Sequence, residues 1–270
     1  MHDLSRRPSS RAGSTGVGLR VFLDFDGTLV GPNTAIELVS RFAPDGARLA
    51  RDVDAALHAR RITLREAWAI EVRSLPFQRL DEMHRFLRDS IELRRGAHEL
   101  LDLLSDYDVP TAILSGGLDA FIRPILDRER LDLPIISDAL RLERGRPPRV
   151  DSPFEHPTCR LCGVCKAGAL LRDLAPARTV FVGDGSTDRF AAEMADLVFA
   201  RHRLREYCQQ HRIRYYPFED LVPVTAQVRA WLEGTEPLPP PRPLGRLESA
   251  CPISQEAARG PRGPERLAAA

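Results

Sequence analysis

Val21-Phe22-Leu23-Asp24-Phe25-Asp26-Gly27-Thr28-Leu29 decides how the rest of this chain is read. An apolar run from Leu19 to Leu23 ends in two carboxylates at i and i+2, followed by an Asp-Gly turn signal. Short unbroken apolar runs read as strands buried on both faces. If the extended geometry persists, Asp24 and Asp26 point to one side, though a turn at Gly27 can aim them apart. One carboxylate can attack phosphorus while the other protonates the leaving oxygen. Gly27 and Thr28 would supply a tight turn and N–H groups for anionic oxygens. An Asp-Gly turn that merely closes a strand is common, so the segment alone leaves both readings open.

The pattern recurs further along. Thr111 to Leu114 runs into Ser115-Gly116-Gly117, and Thr179 to Val182 runs into Gly183-Asp184-Gly185. Further apolar runs lie at 133–136 and 196–200, with helical periodicity at 97–105, 118–128, 167–174 and 187–195. Strands alternating with helices imply a doubly wound, mostly parallel α/β sheet of Rossmann type, with ligands at the carboxyl ends of its strands. One stretch breaks the alternation. From Asn33 to Arg94, apolar residues such as Leu49, Val53, Leu57, Leu64, Trp68, Met83 and Leu87 recur at helical spacing. This predicts a helical cap over 33–94, inserted into a core made of 19–32 and 95–233. Residues 1–18, rich in Arg, Ser and Gly, and 234–270, rich in Pro, read as disordered extensions.

At the other strand ends, Ser115 and Gly116 offer a hydroxyl and an N–H at a predicted helix start, a phosphate cradle. Asp184 and Asp188 add two more carboxylates, although an N-cap would also explain an Asp there. Four aspartates converging on one sheet edge would repel each other without a cation. Hard oxygen ligands beside a phosphate call for Mg2+. The 39 basic residues include a single lysine, Lys166. An ammonium kept in so arginine-rich a chain fits a site where a guanidinium will not substitute. Lys166 would neutralise phosphate charge and hold Asp24 ionised.

These four segments, in this order, resemble the haloacid dehalogenase-like phosphatase superfamily. The resemblance implies that Asp24 is the phosphorylated nucleophile and Asp26 the general acid/base. Thr28, Ser115, Gly116 and Lys166 would bind phosphate, and Asp24, the Asp26 carbonyl and Asp184 would hold Mg2+ with support from Asp188. Residues 19 to about 232 are similar to the subgroup that contains the methionine-salvage phosphatase. The shared features are Asp24 to Thr28, Ile113 to Gly117, Leu197 to Arg201, and a Cys-rich loop running into Cys165-Lys166. Phosphoserine phosphatases are relatives, but usually carry Ser where Gly27 stands and Asn where Thr187 stands. The expectation is hydrolysis of a small phosphorylated metabolite. A phosphotransferase or mutase would keep the same residues, and a non-catalytic binding protein would normally have lost some.

Composition excludes other classes. Hydrophobic content of 43% with 29% charge is that of a globular protein, and a net charge of +1 provides no field for nucleic acid or an anionic membrane. The arginines are interleaved with acids nearly one for one. No apolar run approaches the roughly 20 residues of a membrane span. Arg6-Arg7 precedes no hydrophobic region, so a secretory signal is not expected. Five cysteines, three of them packed into seven residues, fit a reducing cytoplasm better than a disulfide framework.

That cluster, His156-x2-Cys159-x2-Cys162-x2-Cys165, offers four ligands for a second metal, but its spacing is compact for a single-segment site. Thiols lining a loop, or a redox switch, are the alternatives. In the cap, Asn33, Glu37, Arg65 and Trp68 are candidates to face substrate. No histidine is assigned to catalysis, and the oligomeric state is open.

Overall fold

The computed structural model describes residues 18–242, except 60, 147, 160 and 173–176. Residues 1–17 and 243–270, Cys251, and the end of the helix expected over 167–174 therefore lie outside the described residues. The strands are β1 (Leu19–Leu23), β2 (Thr111–Leu118), β3 (Ile135–Arg141), β4 (Arg149–Asp151), β5 (Arg178–Gly183), β6 (Leu197–Ala200) and β7 (Tyr216–Pro217). They form one sheet in the order β4-β3-β2-β1-β5-β6-β7. Every pairing is parallel except β3 with β4. The chain steps from β1 towards β3, then returns to the other side of β1 at β5. The carboxyl end of β1 thus lies at the switch point where open α/β sheets bind ligands. Its five residues are all buried because strands flank it on both sides and helices cover both faces.

The helices are α1 (Thr34–Phe42), α2 (Gly46–His58), α3 (Leu64–Ser74), α4 (Leu80–Ser90), α5 (Ala97–Asp106), α6 (Asp119–Glu129), α7 (Lys166–Arg172), α8 (Arg189–Met194), α9 (His202–Gln210) and α10 (Val222–Leu232). The first four fill the stretch between β1 and α5. Local chemistry starts them: the Asn33 side chain accepts the Ile36 N–H, and Thr63 with Glu66 forms a capping box. An antiparallel bridge, Val30 with Leu93, closes the neck of this insertion. Its apolar face joins the sheet in one core, with Leu38, Met83 and Leu87 fully buried alongside Phe25 and Phe121. No described helix is long and apolar enough to cross a membrane.

Two details differ from the pattern reading. β2 does not stop at Leu114. It continues through Ser115, Gly116 and Gly117 to Leu118, with its register against β3 shifting on the way, and α6 follows at Asp119. Two glycines allow this irregular ending, so Ser115 and Gly116 sit on a distorted strand end, not at a helix start. β4 and β7 gave no pattern because they are three and two residues long. Residues of the Pro-rich stretch lie against the core: Leu238 packs on it, and Arg242 donates to the carbonyls of Ala192 and Glu193 at the end of α8.

Candidate active site

Asp24 follows β1 directly, its N–H tied to the Val182 carbonyl of β5 at 2.9 Å. The next residues make one tight turn, closed by the Val30 N–H to the Phe25 carbonyl at 3.1 Å. Gly27 takes φ +76° there, and a Cβ on it would lie 2.3 Å from Asp184 Oδ2. Only glycine therefore lets the turn close against that carboxylate. Arg94 clasps the turn from outside, donating to the carbonyls of Gly27 (2.8 Å), Thr28 (2.8 Å) and Val30 (3.3 Å). Arg201 adds a bond to the Gly27 carbonyl at 3.2 Å. The sequence does not reveal that either arginine grips this turn, because the bonds go to backbone carbonyls, which have no side-chain signature.

Lys166, the first residue of α7, is the hub. Its Nζ lies 2.7 Å from Asp24 Oδ1 and 2.6 Å from Asp188 Oδ1. Asp24 and Lys166 are each only 5% exposed. Asp188 uses its second oxygen to accept the N–H groups of Asp184 and Gly185, both at 2.9 Å. Asp184 accepts the Thr28 hydroxyl at 3.3 Å. Thr28 is fully buried, so it orients a carboxylate. Asp26 accepts the Thr34 N–H at 2.9 Å, at the start of α1 where the helix dipole favours negative charge.

Electrostatics shows what this cluster lacks. Burial works against the Lys166 charge, but the Asp188 and Asp24 carboxylates outweigh it and push the ammonium upward. Burial, with Asp188, raises Asp184 to about 6. Burial likewise raises Asp24 well above its ordinary value, Asp188 adding to it and Lys166 opposing it. One ammonium therefore does not balance three carboxylates. Ligand oxygens of Asp24, Asp184 and Asp188 lie within 4.8 Å of one another, the metal-competent group among the described residues. Buried hard oxygens in excess of their counter-charge fit Mg2+. Asp26 is raised to about 6, burial outweighing the bonds from Thr34.

Asp24, Asp26, Lys166 and Asp184 line a cavity of about 360 Å³ together with Ser115 and Gly116. The Ser115 hydroxyl accepts the Gly117 N–H at 2.9 Å. The helical insertion roofs this cavity with Asn33, Asp54, Leu57, Leu64 and Trp68. Of the four cap candidates, Asn33 and Trp68 line it. Glu37 and Arg65 are absent from its lining; Arg65 instead pairs with Glu155 and donates to the Cys162 carbonyl at 3.2 Å. Asp54, Leu57, His202 and Arg203 were not singled out, since helical positions give no sign of which face closes over a distant strand end. His156, Cys159, Cys162 and Cys165 surround a separate small recess. They are not gathered within metal-ligating distance, and the cysteines are thiols. His156 Nδ1 accepts the Cys159 N–H at 3.1 Å, tying its own loop.

This sheet, with Asp24 and Asp26, a buried lysine and two further carboxylates on its switch-point edge, defines a class. The chain belongs to the haloacid dehalogenase-like hydrolases, whose family model matches residues 21–193, and within that family it is a phosphatase. It is 29% identical over 224 residues to the 2-hydroxy-3-keto-5-methylthiopentenyl-1-phosphate phosphatase of Bacillus mycoides, covering 80% of this chain and 99% of that one. The enzyme of the same name from Bacillus thuringiensis is also 29% identical, over 223 residues. A phosphoserine phosphohydrolase-like protein from Francisella tularensis shares the fold at TM-score 0.61 and 16% identity, covering 77% of this chain and 99% of the other. A phosphoserine phosphatase captured as a phospho-aspartyl intermediate analogue shares it at 0.55 and 22%, covering 70% and 90%.

Proposed function

We propose that this chain is a Mg2+-dependent phosphomonoester hydrolase that works through an aspartyl phosphate on Asp24, and that its substrate is the 2-hydroxy-3-keto-5-methylthiopentenyl 1-phosphate of its curated relatives. The observation that carries this reading is the Lys166 bridge between Asp24 and Asp188 at the buried carboxyl end of β1. Asp24 Oδ1 is engaged by Lys166 and by the Phe25 N–H at 2.8 Å, which fixes the carboxylate and leaves Oδ2 to attack phosphorus. Asp26, lining the same cavity, protonates the leaving alcohol and then takes a proton from the water that cleaves the acyl phosphate. A value of about 6 suits both roles, because the group can hold or release a proton near neutral pH. Ser115, Lys166 and the Gly116 backbone stand where phosphoryl oxygens gather charge. Bound at Asp24, Asp184 and the Asp26 carbonyl, Mg2+ would supply Lewis-acid stabilisation of that charge. Asp188 positions Lys166 and the Asp184 backbone. Residues 33–94 act as a cap domain that selects substrate.

The test is Mg2+-dependent phosphate release from an aryl phosphate, then from a panel containing the methylthiopentenyl phosphate and phosphoserine. Asp24→Asn should lower turnover by about 10³-fold or more, since it removes the nucleophile. Retained activity in that variant sinks the assignment.

A further inference from the structure

Next to the catalytic cavity lies a second recess of about 40 Å³. The two share Leu64, Gly116, Lys166 and Thr187, so they adjoin at Lys166. The rest of the recess differs in kind. Its walls include Cys159, Cys162, Cys165, Leu161, Val164 and Phe190, and among the described residues no carboxylate or arginine lines it. Lys166 is committed to Asp24 and Asp188, and His156 turns Nδ1 inward to its own loop. A charged group entering here would lose water and find no free counter-charge among the described lining residues.

The loop that forms these walls is fastened on two sides. Arg65 of α3 holds Glu155 and the Cys162 carbonyl. Gly163 sits so close to Asp138 that a Cβ would lie 1.9 Å from its Oδ2. The recess is thus a shaped wall between the insertion and the sheet edge.

We infer that this recess is the subsite for the tail of the leaving group, and that it takes a terminal uncharged group of about methylthio size in preference to an ammonium or carboxylate. The inference rests on the phosphatase reading for the position of the phosphoryl group. Polarisable thiols and the Phe190 ring suit a thioether, since sulphur packs well against aromatic edges. Each buried methylene is worth about fourfold in affinity. The methylthio group in the name of the curated relatives' substrate is of this chemistry.

The experiment measures binding of methylphosphonate, 3-(methylthio)propylphosphonate and 3-aminopropylphosphonate to the Mg2+-loaded protein by calorimetry. It also measures hydrolysis of the corresponding phosphates. The methylthio compound should bind at least tenfold more tightly than the other two. Cys159→Phe, which fills the recess, should erase that preference while leaving methylphosphonate affinity unchanged. Leu161→Asp, at a side chain already 52% exposed and so tolerant of change, should do the same by placing a charge at the rim. Equal affinity for all three compounds, no binding of any, or a preference that survives both substitutions overturns the subsite. Tail preference without hydrolysis of any phosphate keeps the subsite and removes the phosphatase reading. Hydrolysis with no tail preference does the reverse.

Discussion

Two regions meet at Lys166, and they are built on opposite principles. The carboxylate cavity is framed by strand ends, and each carboxylate of its cluster has a hydrogen-bonding partner, though one ammonium does not balance their charge. Asp24 has Lys166 and the Phe25 N–H, Asp184 has Thr28, and Asp188 has Lys166 and two N–H groups. The neighbouring recess is walled by an irregular loop and presents sulphur and hydrocarbon. The carboxylate site is stiff because a parallel sheet fixes its backbone, as transition-state stabilisation requires. The two regions share Leu64, Gly116, Lys166 and Thr187, and of these only Lys166 is charged.

Among the tests of this contrast, the largest expected effect falls on Lys166. Lys166→Arg keeps the charge but puts a planar fork where a compact ammonium bridges two carboxylates in a buried space. Turnover should fall by about 10²- to 10³-fold, the scale of losing one well-placed donor to a developing oxyanion. Near-normal kinetics of phosphate release would mean that the chain's only lysine is incidental to catalysis.

The backbone of the carboxylate side comes next. Gly27→Ala forces an L side chain to φ +76°, which costs about 1–2 kcal/mol, and drives its Cβ into Asp184. Asp184 must then move, so apparent Mg2+ affinity should weaken at least tenfold, as seen in a Mg2+ titration of activity. Unchanged affinity would show that Asp184 is not needed where the structure puts it. Arg94→Ala leaves three carbonyls of the same turn without their clasp. About tenfold lower turnover is expected, with the tail preference of the neighbouring recess intact. If the loss appears instead in tail preference, the two regions are not separate.

The same contrast explains what could be read from the sequence. Buried strands ending in Asp, Ser-Gly or Gly-Asp have a period and a punctuation, so Asp24, Asp26, Ser115 and Asp184 stood out, and the single lysine completed them. The distorted end of β2 was missed because two consecutive glycines permit either a turn or an extended strand. Arg94 gave no signal because its partners are backbone carbonyls, and Arg201 entered only as the last residue of the 197–201 stretch, with nothing to show that it reaches the Gly27 carbonyl. The cysteine loop has no periodicity at all. Its shape depends on Arg65 from another helix and on Asp138 from another strand, contacts made across 97 positions in the first case. Spacing could suggest ligands for a metal there, but not that His156 turns its Nδ1 back upon its own loop.

The smallest effect concerns Asp138, the buried acid beneath the loop. Unlike Asp24 it has no lysine: it is 2% exposed, with Oδ1 lacking a partner among the described residues. Burial raises it from the ordinary 3.8 to about 6, despite opposing influences from Ser152 and Arg65. The folded state therefore binds its proton more tightly than the unfolded chain does. Ionising it costs nothing extra below about pH 4, and the cost is fully in place above about pH 6. A two-unit shift bounds that cost at about 3 kcal/mol. Asp138→Asn removes it, but introduces an amide whose N–H groups have no acceptor at Oδ1, a penalty of about 1–3 kcal/mol. The balance at pH 8 should be a gain of about 1 kcal/mol, turning into a loss at pH 4, where only the penalty remains. Denaturant unfolding of both proteins at the two pH values measures it. A difference independent of pH would mean that Asp138 is ionised and paired in the folded protein, which would make the loop side of Lys166 as fully answered as the carboxylate side.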